Sequence, residues 1–419
     1  MRWGDFREYF RGFAWKRLTP HEVDPAVSNG HEFQGVGRLK EILGADTAER
    51  LPATYFLLHD EPEEPDVLSL WAKWYDARAN TPSRSSEWRL YYPAAAGEIQ
   101  SRMKAGDLMV LAVTQERKLM ILLASAGSER ERQLQLLFGI AEDEAGSFRV
   151  RTLDEPVALD FVTVSILDQL GLGDVHAPDG TDADVVMNLV REIVEQYGNR
   201  LPSGDTIATL IRSRLRNVDP VDSPDDALYR WIEAEAAMFR GWEDVKISSR
   251  IRQGFTLSGE EPDVAGFRQF SMSIRQSRVS RAGGALQYHF QALLNARSLT
   301  HAMEPTIDHG EIPDFVFPSL EAYLDPQFPD DKLRMLGAKF TAKDRWRQVL
   351  AEAKRVKNKH LLTLEAAISA KQMFLMTDNR LTLVIPAPIR DRYPMPQAKD
   401  ILTVREFLDS LASIQDSLR

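Results

Sequence analysis

The chain has 419 residues, a formal net charge of −10 and 43% hydrophobic residues, enough for two or three domains with buried cores. It contains no cysteine, which excludes a disulfide framework, a thiolate metal site and a cysteine nucleophile. The N-terminal sequence MRWGDFREYFRGFAWKR lacks the apolar segment of a signal peptide, and no apolar run is long enough to span a membrane. We therefore expect a cytoplasmic protein with no membrane partner.

The first part of the chain, to about residue 175, has the pattern of a β-rich domain. Residues 107–113 (DLMVLAV) and 118–125 (KLMILLAS) are apolar runs of strand length joined by a polar turn, and residues 87–93 (EWRLYYP) are a further β-type stretch. A helix is predicted over residues 128–137, and apolar residues return over 156–167. Residues 171–182 are rich in Gly, Asp and Pro, which is typical of a linker between domains.

The remainder of the chain changes to helices and then to alternating helices and strands. Apolar residues at three- and four-residue spacing predict helices over 185–197, 205–215, 225–251 and 264–278, with Asp205 and Asp225 as N-caps. Strand-length apolar runs follow at 314–318, 333–340, 360–364 and 381–386, and helical patterns lie at 343–357, 364–376 and 404–418. This alternation predicts an α/β domain.

The charge is unevenly distributed along the chain. Residues 331–360 hold ten Lys or Arg and three acids, a local charge of +7. Local clustering of this kind is the electrostatic footprint of DNA binding, even in a chain that is acidic as a whole. A solvated helix face would produce the same pattern, so charge alone leaves both interpretations open.

Asp314, Lys339 and Glu352 carry the clearest chemistry in the sequence. Carboxylates are hard oxygen ligands for Mg²⁺, and a lysine can orient the attacking water and neutralise developing charge, so the three suit phosphodiester hydrolysis. Singly, each has a commoner structural explanation, such as a turn for the aspartate or an ion pair for the lysine. Their combination within forty residues, inside the most basic stretch of the chain, favours a nuclease site.

The source of the second carboxylate needs an explanation. Many nucleases of this kind carry an acid two residues before the lysine, but here that position is Gly337. We expect Glu352 to take its place from the helix that follows the lysine-bearing strand. Arg345 lies seven residues before Glu352, so both would share one face of that helix.

The residues just after Lys339 suit the reading of DNA bases. In Lys343-Asp344-Arg345, the basic side chains can donate to guanine O6 and N7, and the carboxylate can accept from cytosine N4. This order of donors and acceptors favours adjacent G·C pairs. Arg347 and Gln348 extend the candidate DNA-binding set.

At these residues the sequence resembles the EcoRII-type restriction endonucleases. The resemblance rests on five stretches: PDFVFPS at 313–319, LRML at 333–336, KDRWRQ at 343–348, HLLTL at 360–364 and LVIP at 383–386. Upstream, RLPSG at 200–204, GF at 254–255 and SRAG at 280–283 fall in the family's order, so the resemblance covers the whole C-terminal half. It is weaker in the N-terminal half, with KRL at 16–18 and GH at 30–31 near the start.

The resemblance implies a fold and roles for the site residues. It implies a β-rich DNA-binding pseudobarrel at the N-terminus and, at the C-terminus, an α/β restriction-endonuclease-like core of the PD-(D/E)xK type with an added helical region. Asp314, Lys339 and Glu352 match the catalytic residues of the family, with Asp314 and Glu352 on Mg²⁺. Residues 343–345 match the element that reads the outer C·G pairs of a site that begins CC and ends GG.

One catalytic position departs from the family. Where the family has Leu-Glu-x-His after the Arg-Ala-Gly motif, this sequence has Leu286-Gln287-Tyr288-His289. Gln287 is kept as a catalytic candidate, although a neutral amide adds no negative charge for a metal ion. In the N-terminal part, His31, Arg84 and Arg89 lie in polar loops where the family grips DNA, and an ordinary surface loop is an equally good explanation for each.

These observations predict three segments and one function. Residues 1–175 are expected to form an effector DNA-binding domain, 176–190 a linker, and 191–419 a catalytic domain whose helical part is 191–300 and whose α/β core is 301–419. The predicted function is that of a Mg²⁺-dependent type II restriction endonuclease, a homodimer on double-stranded DNA, restrained by its N-terminal domain. A companion cytosine methyltransferase would act on the same site. The alternative is a sequence-specific DNA-binding protein or an inactivated relative that does not cleave.

Overall fold

The computed structural model of the chain divides into two compact units, residues 2–175 and residues 176–419, the latter grouped with Met1. It describes residues 1–419 except 25, 29, 61–64, 82, 142–145, 171, 173–180, 199, 257–260, 308–309 and 343–344, and the side chains of 181 and 275–283. The predicted linker at 176–190 lies partly outside the described residues. Among the helices that are described, none combines the length and apolar character needed to cross a bilayer.

The described part of residues 2–175 is a mixed eight-stranded sheet with short helices between the strands. The strands are β1 (Phe10–Arg17), β2 (Glu32–Phe33), β3 (Ala48–Leu58), β4 (Asp66–Asp76), β5 (Trp88–Tyr91), β6 (Leu108–Thr114), β7 (Leu119–Ala124) and β8 (Arg149–Thr152). The helices are α1 (Pro20–Val23), α2 (Lys40–Leu43), α3 (Gly97–Gln100), α4 (Glu129–Phe138) and α5 (Phe161–Leu170). The strand order is β2-β5-β4-β3-β7-β6-β1-β8, in which β3 and β7 are parallel and the other neighbours antiparallel.

The predicted strands and helix of this unit are confirmed. The apolar runs at 107–113 and 118–125 form the antiparallel pair β6 and β7, and 87–93 contains β5. Both central strands are almost wholly buried, which explains why their sequences are continuously apolar rather than alternating. Helix α4 starts where the sequence predicts because the Ser128 side chain accepts a hydrogen bond from the Glu131 amide.

The two edges of this sheet approach each other beside β2 and β8. The Phe148 amide donates to the Gly35 carbonyl at 3.4 Å. Gly35 has φ +70, and a Cβ there would lie 2.8 Å from the Ser147 backbone, so the close approach requires glycine. This contact brings the open edges together, in keeping with a pseudobarrel, which stays a prediction.

The second unit begins with four helices: α6 (Thr181–Tyr197), α7 (Gly204–Arg214), α8 (Pro224–Gln253) and α9 (Val264–Ala296). All four were predicted, but α9 continues eighteen residues beyond its predicted end at 278. The two predicted N-caps are wrong, because Ser203 and Ser223 hold those positions. Asp225 instead accepts hydrogen bonds from the amides of Ala387, Val404 and Arg405 and so fixes two later helix starts.

The α/β part of this unit is a mixed six-stranded sheet. Its strands are β9 (Ala302–Met303), β10 (Phe315–Phe317), β11 (Arg334–Ala338), β12 (Lys359–Leu362), β13 (Leu381–Val384) and β14 (Ile401–Leu402), in the order β14-β13-β12-β11-β10-β9. The strands from β11 to β14 are parallel, and β9, β10 and β11 pair antiparallel. Its helices are α10 (Leu320–Leu324), α11 (Arg345–Ala351), α12 (Ala370–Asp378), α13 (Ala387–Arg390), α14 (Met395–Ala398) and α15 (Val404–Asp416).

Helix α11 is much shorter than the helix predicted over 343–357. It ends at Ala351, and Ala353 then takes a left-handed conformation with φ +48, which a continuing helix does not allow. Glu352 therefore lies in a turn after the helix, so its prediction as a helix-borne acid is wrong in this respect.

His360 in β12 gives this sheet a pH-dependent stability. Burial, and then the charge of Arg334, lower the pKa of His360 to about 4, and its ring packs 4.8 Å from that of Phe407. Since the unfolded chain binds the proton near pH 6.5, folding stability falls as pH drops from 6.5 towards 4.

We expect the free energy of unfolding of the wild type to decrease by about 2 kcal/mol more than that of His360→Phe between pH 7 and pH 5. Phenylalanine keeps the ring against Phe407 but has no proton to bind. Chemical denaturation of both proteins at the two pH values measures the difference. Equal losses in both would contradict this origin of the pH dependence.

Candidate active site

Asp314 and Lys339 are brought together by the antiparallel pair of β10 and β11. Asp314 immediately precedes β10 and Lys339 immediately follows β11, and Phe315 pairs with Leu336 in the register. The Asp314 Oδ2 atom accepts from the Ala338 amide at 2.6 Å and from the Lys339 Nζ at 2.8 Å. The sequence-predicted pairing of this acid with this lysine is thus present in the structure.

A third donor reaches the same carboxylate from helix α9. The Gln287 Nε2 donates to Asp314 Oδ1 at 2.5 Å, so both carboxylate oxygens are held. An amide at this position supplies a hydrogen bond that a carboxylate could not. The departure from the family at Gln287 therefore exchanges a negative charge for a donor that fixes the orientation of Asp314.

Glu352 is the second acid of the site and differs from Asp314 in its surroundings. Burial, and next the charge of Asp314, raise the pKa of Glu352 to about 7, although Lys339 and Lys359 oppose the shift. Its Oε2 atom is buried and has no hydrogen-bond partner among the described residues. A buried, unpartnered carboxylate oxygen beside a second acid costs free energy and is typical of a functional site.

The structure explains why no acid occupies position 337. A Cβ on Gly337 would lie 2.6 Å from the Val349 Cγ2 atom of α11. Helix α11 packs against β11 at this point, so a larger side chain would push the helix, and Glu352 beyond it, away from the sheet. The second carboxylate consequently comes from the turn after α11.

The residues of this cluster fit a divalent cation of the Mg²⁺ kind. Two carboxylates are the donor set that Mg²⁺ commonly takes from a protein, with waters and substrate phosphates completing its shell. The unpartnered Oε2 of Glu352 is the acceptor that such an ion would satisfy. Within the part of the chain that the structure describes, no group of three or more His, Asp or Glu side chains that could hold a metal ion is present.

The candidate base-reading residues follow at the start of α11. Lys343 and Asp344 lie outside the described residues. Arg345 is the first residue of α11 and is half-buried, whereas Arg347 and Gln348 are exposed, with the Arg347 guanidinium 4.9 Å above the Trp346 ring. Helix α11 leads directly into the turn that carries Glu352. One short segment therefore carries both Arg345, a candidate base-reading residue, and Glu352, a candidate metal ligand.

Helix α9, which carries Gln287, is fixed by a buried polar cluster that the sequence did not reveal. His289 is fully buried, and its Nε2 lies 2.9 Å from the Glu235 Oε2 of α8. The Arg212 Nη1 of α7 donates to the Tyr288 carbonyl at 3.3 Å. Burial lowers the pKa of His289. The contacts of His289 with Glu235 and of Arg212 with Tyr288 join three helices around the segment that places Gln287 beside Asp314.

Two of the N-terminal candidates lie near the β2–β5 edge. The His31 ring lies 5.5 Å from that of Tyr92, and its carbonyl accepts from the Tyr92 amide. Arg89 on β5 forms ion pairs with Glu87 and Glu32, which raise the pKa of its guanidinium. Arg84 is exposed in the turn before β5. The DNA-binding roles of all three stay predictions.

The segment at 19–34, which contains His31, buries one of its acids. Glu22 is completely buried in an ion pair with Lys16, whose Nζ lies 2.7 Å from the Glu22 Oε1. The same carboxylate accepts from the amides of Thr19 and Gln34 and so ties both ends of the loop together. This anchor was missed because a buried Lys–Glu pair has no signature in a single sequence.

The fold and the site together define a class. It is a mixed-sheet domain in which Asp314 and Lys339 meet at strand ends, with a second acid, Glu352, in the turn after α11, and this arrangement suits a divalent cation. Residues 239–408 match the family described as EcoRII C terminal, and this stretch includes Gln287, Asp314, Lys339, Arg345 and Glu352. The resemblance to the EcoRII-type restriction endonucleases is thereby confirmed over residues 239–408.

A particular relative is the type II restriction enzyme EcoRII of Escherichia coli, with 34% identity over 221 residues, which are 52% of this chain and 53% of that enzyme. The match thus spans about half the length of the relative. Among solved structures, the chain is similar to metal-depleted Ecl18kI in complex with uncleaved, modified DNA, with a TM-score of 0.44, 16% identity and coverage of 57% of this chain and 87% of that one. It is also similar to a complex of restriction endonuclease PspGI with substrate DNA, with a TM-score of 0.37, 16% identity and coverage of 55% and 93%.

Proposed function

We propose that this chain is a Mg²⁺-dependent type II restriction endonuclease that hydrolyses phosphodiester bonds in double-stranded DNA at a short, two-fold symmetric site. The observation that carries the proposal is the cluster of Asp314, Lys339 and Glu352, with its unpartnered buried carboxylate oxygen, inside the stretch that matches the EcoRII C terminal family. Asp314 and Glu352 would hold the cation. When bound, Mg²⁺ supplies a positive charge that polarises the scissile phosphate and acidifies a bound water.

The chain's own residues prepare the site for this reaction. Three donors, from Gln287, Ala338 and Lys339, hold Asp314 in one orientation before substrate arrives. The Lys339 side chain is 22% exposed, so its ammonium can contact a water or a phosphate oxygen while it stays beside Asp314. We assign it to orient the attacking water and to neutralise charge that develops on the phosphate.

Sequence recognition is assigned to the segment that leads into the Glu352 turn. Lys343, Asp344 and Arg345 would read the outer pairs of a site that contains CC and GG, with Arg347 and Gln348 beside them. An arginine that donates to guanine O6 and N7 discriminates one base pair, whereas an arginine on a phosphate strengthens binding to every sequence.

We expect Arg345→Ala to lose discrimination at one G·C pair, with a cost of roughly 1–3 kcal/mol on the preferred site and little change on other sequences. Lys371→Ala is the control, because Lys371 is an exposed basic residue on α12 and lies outside the candidate DNA-binding set. Competition binding with singly substituted duplexes measures both variants. Equal weakening of Arg345→Ala on all duplexes would make Arg345 a phosphate contact.

The proposal also assigns a regulatory DNA-binding role to the N-terminal unit and a homodimeric assembly to the chain. Residues 1–175 would bind an effector copy of the site, with His31, Arg84 and Arg89 among the contacts, and would restrain the catalytic domain until that copy is bound. A two-fold symmetric site favours a homodimer with the same symmetry, for which the helices over 185–300 offer the surface. A companion cytosine methyltransferase would protect the host's copies of the site in the cytoplasm.

A cleavage assay on unmethylated plasmid DNA tests the proposal. With Mg²⁺ we expect discrete fragments, and sequencing of their ends would give the recognition site and the cut position together. Failure of the purified full chain to cut any DNA with Mg²⁺ or Mn²⁺ would refute the enzymatic assignment.

A second candidate function is sequence-specific DNA binding without cleavage. The observation that favours it is Gln287, which places a neutral amide on Asp314 and leaves the described site with two acids. The same assay separates the candidates, since this one predicts protection of a specific site from DNase I and no cutting with either cation.

A further inference from the structure

The turn that carries Glu352 is held from two sides by residues outside the proposed catalytic set. Helix α11 ends at Ala351, and the next turn contains Ala353, which is fully buried with φ +48. A left-handed conformation at a residue with a Cβ is unfavourable and persists only where neighbouring groups impose it. The position of the Glu352 carboxylate therefore depends on whatever fixes this turn.

Lys359 fixes the turn from strand β12. Its side chain is nearly buried, and its Nζ donates to the Leu350 carbonyl at 2.5 Å and also to the carbonyl of Glu352 itself. A cation at the end of a helix satisfies carbonyls that have no partner within the helix. The ammonium is thus committed to the backbone on both sides of Ala351, next to the acid of the candidate cation site.

Glu311 fixes the turn from the segment that leads to Asp314. Its Oε2 accepts from the Ala353 amide at 3.1 Å, and its Oε1 lies 3.3 Å from the Lys354 Nζ. Glu311 is only three residues before Asp314 in the chain. It therefore links the turn that carries one candidate metal ligand to the segment that carries the other.

We propose that Lys359 and Glu311 are positioning residues that hold the Glu352 carboxylate where it shares a divalent cation with Asp314. This inference rests on the proposed function and extends it to residues that would touch neither DNA nor the cation. Replacement of residues that orient metal ligands through hydrogen bonds commonly lowers metal affinity by about 10- to 100-fold.

The test is a titration of the full chain with Mn²⁺ in the absence of DNA. Binding is measured by calorimetry and by the electron paramagnetic resonance signal of free Mn²⁺. Lys359→Met keeps the length of the side chain but cannot hold the two carbonyls, and we expect its Mn²⁺ Kd to rise about tenfold or more. Lys357→Met is the matched control, because Lys357 is exposed on the same stretch, and we expect its Mn²⁺ Kd to match that of the wild type.

A second pair of variants separates the hydrogen bond of Glu311 from its charge. Glu311→Gln keeps an oxygen for the Ala353 amide, and we expect a Mn²⁺ Kd within about threefold of the wild type. Glu311→Ala loses that acceptor, and we expect its Kd to rise like that of Lys359→Met. This pair also keeps the test decisive if Lys359→Met fails to fold.

The outcomes distinguish this inference from the function on which it rests. Folded Lys359→Met and Glu311→Ala that bind Mn²⁺ as the wild type does, with only a lower unfolding midpoint, would overturn the positioning role. A wild type that binds Mn²⁺ but cuts no DNA, with both variants weakened, would refute the proposed function and support the positioning role. A wild type that binds no Mn²⁺ would overturn both.

Discussion

Lys339→Ala is expected to abolish cleavage, with a loss of about a thousandfold or more, while specific DNA binding changes by only a few fold. The Lys339 Nζ lies 2.8 Å from the Asp314 Oδ2 and is the cationic side chain bonded to that candidate metal ligand. Without it, the water and the developing phosphate charge lose their nearest protein cation. The cation site itself keeps both acids, so we expect Mn²⁺ to bind at least as tightly as in the wild type.

This separation of cation binding from cutting identifies the role of Lys339. Asp314→Asn should lose both properties, because it removes a ligand and places an amide where three donors now converge. Lys371→Ala serves as the charge control, since Lys371 is exposed on α12, outside the site. Single-turnover cleavage and Mn²⁺ titration measure the variants. Cleavage by Lys339→Ala at the wild-type rate would remove the lysine from the catalytic assignment.

The local pattern of the sequence was sufficient to find the acid–lysine pair. The apolar run that begins at Asp314 and the one that ends near Lys339 predict neighbouring strands. Strands that pair place their end residues side by side. The structure confirms this for β10 and β11. The pairing of Gln287 with Asp314 was not predictable from spacing, because α9 meets the sheet through a tertiary contact between residues 27 positions apart.

The end of α11 marks where sequence periodicity misleads. Apolar residues continue at helical spacing to Val356, and they are buried as the helical pattern predicts. The chain nevertheless leaves the helix after Ala351, because Lys359 and Glu311 satisfy the carbonyls and the amide that a longer helix would pair internally. Periodicity reports which side chains face the core, and it does not report competing partners for the backbone.

The two predicted N-caps failed for a related reason. Asp205 and Asp225 have side chains that commonly cap helices, but in each case the serine two positions earlier holds the cap position. Asp225 is then used at long range, to cap segments more than 160 residues later in the chain. A carboxylate engaged by distant backbone amides resembles a local cap in sequence, and only the folded chain distinguishes the two.

Glu352→Gln is expected to abolish cutting and, unusually for a buried substitution, to stabilise the protein. Burial raises the pKa of this carboxyl to about 7, and its Oε2 has no partner among the described residues. An ionised Glu352 is therefore less favourable in the folded chain than in the unfolded one. Glutamine has the same shape without the charge, and we expect it to add about 2 kcal/mol to the free energy of unfolding at pH 8 without metal, allowing for partial screening by water.

The pH dependence has a definite sign. Because the folded pKa lies above the value near 4.5 that the unfolded chain has, the wild type loses stability as pH rises from 4.5 to 7 and is level above that. The advantage of Glu352→Gln should grow over the same window. Excess Mg²⁺ should stabilise the wild type much more than the variant, because the cation supplies the partner that Oε2 lacks. Thermal unfolding with and without Mg²⁺ at pH 5 and pH 8 measures this, and a variant less stable than the metal-free wild type at pH 8 would mean that Glu352 is a structural acid rather than a ligand held ready for the cation.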